Sequence, residues 1–169
     1  MPAASGILGA VLTQGAMLWR DHWVARKDRK YWALRLALVF ERFAIACAYQ
    51  REDASLFVQS KGAVGSPHVE LPALGDLPVE ADWKGLDHEL VAMVLNFPLE
   101  LEVMKHGARS LWEVVDEDVV AKHCDEQAGE KGLQAIRIAD ALRKHYRLAQ
   151  VGLSLEWDFR ESLQNERAA

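Results

Sequence analysis

From Gly6 to Gln50 apolar residues recur at helical spacing with no proline to interrupt them. Leu8, Leu12, Gly15 and Trp19 share one face, and Trp32, Leu36, Val39, Phe43 and Ala46 follow at intervals of 4, 3, 4 and 3. That recurrence predicts one very long amphipathic helix. Tyr31, Leu34, Leu38 and Ile45 add a second apolar flank, as expected of a helix central to a bundle or shared with a second subunit. Arg35 and Arg42 lie close together along it and are expected to pair with acids on a neighbouring helix.

Residues 52–82 break the pattern. Gly62, Gly65, Pro67, Pro72, Gly75 and Pro78 punctuate them, which predicts an irregular connection, with Leu56–Val58 and Val69–Leu71 as a candidate hairpin. A clear helical signature follows, through Leu86, Leu90, Met93, Phe97, Leu101, Met104, Ala108, Leu111 and Val115. Asp82 or Asp87 offers its cap, and Pro98 predicts a kink or brief break near Asn96–Pro98. Asp116 then reads as the cap of another helix reaching about Tyr146, with Arg143, Lys144, His145 and Arg147 suited to its C-terminal dipole. The stripe of that helix, Val120, Cys124, Ala128, Ala135, Ala139, Leu142 and Tyr146, is built largely from small residues. With Gly129 and Gly132, it predicts close approach of a partner helix.

The period changes once more near the end. Val151, Leu153, Leu155, Trp157 and Phe159 alternate with polar residues or glycine, which predicts an extended segment with one apolar face. Residues from Glu161 onward read as a polar, fraying end. The expected fold is therefore all-α: a small helical bundle built on one long N-terminal helix, with an irregular 52–82 connection and an extended C-terminal tail. A single helical domain spans residues 1–147, its first 19 a candidate membrane-proximal or projecting end, and residues 148–169 form the tail.

Charge divides the chain. The 169 residues carry a net charge of −5. Residues 1–51 hold eight Lys/Arg against three Asp/Glu, while the remainder holds twelve against 22. Pro2 to Trp19 carry no charge at all; Arg20, Arg26, Lys27, Arg29 and Lys30 then arrive together, interleaved with Trp19, Trp23, Tyr31 and Trp32. A basic-aromatic collar behind an uncharged run suits an anionic partner, above all lipid headgroups, since Trp at such a boundary is typical of interface anchoring. Nucleic acid is disfavoured, because the acidic remainder would repel phosphates and no helix-turn-helix or zinc-finger pattern surrounds the collar. The competing explanation is that Trp19, Trp23 and Trp32 pack in the bundle while the bases face water. The uncharged run is short and diluted by Ser5, Gly6, Gly9, Thr13, Gln14 and Gly15, which makes it a borderline membrane span. Its positive charges follow the apolar stretch, the reverse of a secretory signal.

Reactive motifs are sparse. Cys47 and Cys124 form no metal or redox pattern, and point weakly to a reducing, cytoplasmic compartment, at the cytoplasmic face of a membrane if the collar binds one. Glu102 and His106 share a helix face four residues apart, but lack the repeated Glu-x-x-His of di-iron bundles, so an ion pair on a solvated face is the plainer explanation. No metal and no cofactor is expected. No phosphate-binding glycine loop, nucleophile elbow or His-Glu-x-x-His occurs.

The expected function is a helical interaction or scaffold protein, membrane-associated through its first helix. Arg20, Arg26, Lys27, Arg29 and Lys30, with Trp19 and Trp23, form the candidate anion contact. Leu155, Trp157 and Phe159 form a candidate partner-binding element for an unidentified protein. Self-association of coiled-coil type through the first helix is compatible with both. The alternative is a soluble helical enzyme or small-ligand binder with a site between helices around Glu102 and His106.

Overall fold

A computed structural model describes the side chains of residues 26–79, 81, 83–107, 115–116, 118–149 and 158–164, and the helical backbone alone for 4–25, 108–112 and 117. The fold is all-α. Helix α1 spans Ala4–Gln59, α2 His88–Trp112, α3 Glu117–Tyr146 and α4 Phe159–Gln164, with one 3-10 turn at Trp83–Gly85. Among the described residues there is no strand, so the expected hairpin of Leu56–Val58 with Val69–Leu71 does not form.

The core is organised by α1. Ala33, Leu36, Ala37, Phe40, Phe43, Ala44, Cys47 and Ala48 are buried, a helical recurrence with small and large residues in turn. Ala128, Gly132, Ala135 and Ala139 of α3 are buried too, and these small residues let the two axes come close. The long first helix and the small-residue stripe are thus two halves of one interface. Helix α2 reaches it through Phe97, whose ring meets Phe40 and Phe43 edge to face, each at 5.3 Å between centroids, a favoured aromatic arrangement.

The buried stripe of α2 is Leu86, Leu90, Val94, Phe97 and Leu101. Met93, expected inside, is 42% exposed. A 3-residue and a 4-residue step fit a helical face equally well from sequence, and the choice falls to Val94. The helix runs through Pro98 without a break. Its start is fixed as expected at Asp87, whose Oδ1 accepts from the amides of Glu89 and Leu90 at 3.1 and 3.2 Å, a side-chain N-cap.

The irregular connection begins later than expected, because α1 continues to Gln59. No glycine or proline stops it before Gly62. The turn that does stop it uses positive φ at Lys61, Gly62 and Gly65. At Gly65 a Cβ would lie 2.2 Å from the Asp53 carbonyl oxygen, so no other residue fits. The returning segment is stitched to both neighbours: Gln50 Nε2 donates to the Glu70 carbonyl at 3.0 Å, and Cys124 Sγ to that of Val69 at 3.1 Å.

Phe159, expected in an extended tail, opens α4, and Glu161 to Gln164 are helical where a fraying end was expected. Asp158 supplies the cap, its Oδ1 accepting from the Arg160 amide at 2.9 Å. Leu163 is buried, and Arg160 grips Asp140 of α3 with two hydrogen bonds of 2.9 and 3.0 Å. Arg51 of α1 donates to the carbonyls of Ser162 and Leu163 at 3.0 and 2.8 Å. A cation thereby satisfies acceptors that a helix end leaves open.

Candidate functional site

Arg26, Arg29 and Lys30 lie at i, i+3 and i+4 on α1 and so share a face. The C-terminal end of α3 faces them. Together with His145, Tyr146 and Arg147 they line a cavity of about 320 Å³. No carboxylate is among its described lining residues.

Local structure fixes the α3 side of this cavity. Tyr146 Oη accepts from the Asp87 amide at 2.7 Å, which ties the site to the start of α2. The His145 and Tyr146 rings lie 4.7 Å apart. Arg147 ends α3 in the left-handed region with φ 51°, a conformation that usually falls to glycine. Its amide is shared by the carbonyls of Arg143 and Lys144.

Arg143 belongs to the scaffold. It is buried and forked on Glu41 of α1 at 2.5 and 2.8 Å, with a further bond to the Ala149 carbonyl. That carboxylate raises the Arg143 pKa. Among the described residues, the interhelical ion pair of this stretch thus uses Glu41, not Arg35 or Arg42. Arg35 instead lies over the rings of Tyr31 and Trp32, at 5.9 and 5.5 Å from their centroids, and Arg42 is exposed. The helix turns residue 41 toward α3 and residue 42 away from it.

Of the expected anion contacts, Arg26, Arg29 and Lys30 come together in the cavity. Lys27 is exposed and does not line it. The side chains of Trp19, Arg20 and Trp23 lie outside the described residues, as do Leu155 and Trp157 of the expected partner-binding tail. Phe159 packs, half-buried, against the core. The contribution of His145 and Arg147 was missed. Both stood in the sequence as dipole partners for α3, and nothing local brings residues 145–147 to residues 26–30.

A second, open concavity of about 780 Å³ lies where α1 meets the returning segment, lined in part by Tyr49, Asp53, Leu56, His68 and Leu71. His68 Nε2 is 2.8 Å from Asp53 Oδ2. That contact holds the Asp53 carboxyl below its usual range, against a smaller opposing effect of desolvation. The pair resembles half of a nucleophilic triad. Ser66 Oγ, however, donates to the same Asp53 oxygen at 3.2 Å and not to the imidazole. A triad needs the hydroxyl on the base, so this arrangement fastens the 62–68 turn to α1.

Glu102 and His106 are exposed on α2 and line neither concavity. Among the described residues no group of three or more His, Cys, Asp or Glu could hold a metal ion. Both cysteines are free and buried; burial pushes the Cys47 thiol up to about 12 and raises that of Cys124 as well. Neither has the depressed pKa of a nucleophile. Among the described residues no helix is long and apolar enough to cross a membrane. No protein-family model matches the chain, and no curated protein or solved structure is significantly similar to it.

Proposed function

We propose that this chain is a helical interaction protein that docks on an anionic surface, the acidic headgroups of a membrane leaflet, through the basic end of its bundle. The supporting observation is the convergence of Arg26, Arg29 and Lys30 with His145 and Arg147 around one cavity without a described carboxylate. The C-terminal dipole of α3 accounts for part of this positive charge, but amounts to only about half an elementary charge. Arg26, Lys30 and Arg147, on a chain of net charge −5, exceed what that end requires. Each Lys or Arg near an acidic leaflet is worth roughly 1 kcal/mol, and the exposed Tyr31 beside Arg35 suits the headgroup layer. An acidic leaflet is typically the cytoplasmic one, in keeping with two free cysteines.

Vesicle flotation tests the proposal. The intact chain should float with vesicles of mixed neutral and acidic lipid, stay behind with neutral lipid, and release as salt rises. Arg26→Glu with Lys30→Glu should abolish flotation while leaving the circular dichroism unchanged, and removal of residues 1–19 should weaken it. Equal binding to neutral vesicles, or none by a folded, monodisperse chain, would overturn it.

A further inference from the structure

The turn that ends α3 keeps an arginine where the backbone favours glycine. Arg147 has φ 51°, and the Leu148 amide closes the turn on the Arg143 carbonyl at 2.9 Å, the pattern of a helix end whose left-handed residue is usually glycine. A side chain kept at a conformational cost points to a task for that side chain. The surroundings of Arg147 are fixed as well. Before it, the Tyr146 hydroxyl is held by the Asp87 amide at 2.7 Å. Arg143, a turn earlier, donates both to Glu41 of α1 and to the Ala149 carbonyl just beyond Arg147. Arg26 and Lys30 stand one turn apart on a single face of α1. The basic cavity is therefore pre-formed, which favours a ligand of matching shape over diffuse attraction.

Charge and size narrow that ligand. Arg26, Lys30 and Arg147 bring three formal positive charges to a cavity of about 320 Å³, counted without Arg29, which has a contact of its own. A headgroup of single charge would leave two of the three unmet. A monoester phosphate carries about −1.5 to −2 at neutral pH, so two of them on one small molecule match the set. The side chains suit that chemistry: a guanidinium takes two phosphate oxygens at once, and an ammonium supplies a point charge. The volume lies at the small end of ligand sites, which suits a compact phosphorylated polyol.

We infer that the basic cavity is a site for clustered phosphomonoesters, taking one headgroup with two or more monoester phosphates in preference to headgroups of single charge. The inference rests on the membrane proposal for the source of that headgroup, a polyphosphorylated lipid of the acidic leaflet. A free polyol phosphate presents the same chemistry without the membrane.

Two measurements on the full chain separate the site from the surface. In calorimetry at physiological salt, soluble inositol trisphosphate should bind one to one, and glycerophosphoserine, with a single net charge, should not bind. In flotation, vesicles containing phosphatidylinositol bisphosphate should retain the chain at salt concentrations that release it from phosphatidylserine vesicles of equal total charge. Lys30→Gln should weaken trisphosphate binding about tenfold, the worth of one charge-assisted contact. Lys27→Gln makes the same charge change on the same helix outside the cavity, and should leave binding within about twofold of the parent. Arg147→Gly should weaken binding about tenfold in a chain that still folds, since glycine suits the turn. Trisphosphate binding without flotation on any vesicle would uphold the site and overturn the membrane proposal. Flotation that follows total charge alone, with no trisphosphate binding, would uphold the membrane proposal and overturn the inference. Equal losses from Lys27→Gln and Lys30→Gln would overturn it too.

Discussion

A Cβ built on Gly132 of α3 would lie 2.5 Å from Leu163 Cδ2 of α4 and 3.1 Å from Cys47 Cβ of α1. Three helices meet there because one of them lacks a side chain. Gly132→Ala should therefore destabilise the protein despite Ala being the better helix former by about 1 kcal/mol, because Leu163 must leave its place. Leu163→Ala alone should cost about 2–5 kcal/mol. The double variant should be more stable than the two single effects predict, since the shortened residue 163 makes room for the new methyl. Urea unfolding of the four proteins measures that coupling, and strict additivity would show that the contact is not what fixes α4.

Arg51 holds α4 from the other side. It is buried, bonded to the Ser162 and Leu163 carbonyls and paired with Asp125 at 3.4 Å. Arg51→Met keeps most of its bulk and removes the charge. The loss should be about 3 kcal/mol, as for other buried pairs broken at one partner. Hydrogen exchange should localise the effect, with amides of 159–164 losing protection first while those of α3 keep theirs.

Arg147 separates stability from binding. Its φ of 51° is unfavourable for any residue with a Cβ and neutral for glycine. Arg147→Gly should raise the thermal midpoint, with a gain of up to about 1 kcal/mol. It also removes one cation from the basic cavity, so flotation on acidic vesicles should weaken and its salt dependence become shallower. A variant that is more stable and binds equally well would exclude Arg147 from the contact.

Acid should loosen the joint between α2 and α3. Lys131, buried on α3, donates to Glu100 Oε2 at 2.6 Å, and Gln134 adds a bond of 2.9 Å. Both hold the Glu100 carboxyl below its ordinary value of 4.5. A carboxyl depressed on folding stabilises the native state at pH values above 4.5, and that contribution disappears as the pH falls through its lower folded value. Glu100 is 43% exposed, so the step is under about 1 kcal/mol. The fall in stability between pH 6 and pH 3 should be smaller in Glu100→Gln than in the parent, and a parallel pH profile would assign the acid sensitivity elsewhere.

How legible was this in the sequence? The helices were, because α1 and α3 repeat apolar or small residues over many turns, and the glycines of α3 foretold close packing. Boundaries set by tertiary contact were not. Leu56–Val58 read as a strand because three residues cannot distinguish the two periods, whereas in the folded chain the Asp53 carbonyl and Phe57 amide close upon Gly65. The alternation through Phe159 concealed the opposite signal, an Asp158 cap with Glu161 three residues on, which is the signature of a helix start. Of the basic cavity only the α1 half could be seen. The other half comes from the end of α3, and no local rule relates residues so far apart in the chain.

That separation has a consequence during synthesis. The apolar face of α1 from Ala33 to Ala48 is covered chiefly by α3, whose last residue is Tyr146. At bacterial or eukaryotic rates a ribosome needs on the order of 5–15 s to travel from the end of one helix to the end of the other. Throughout that interval the apolar positions of α1 lack the helix that covers them in the folded protein. Whatever cellular factor shields them then, a chaperone or a lipid surface, meets the protein before the bundle exists.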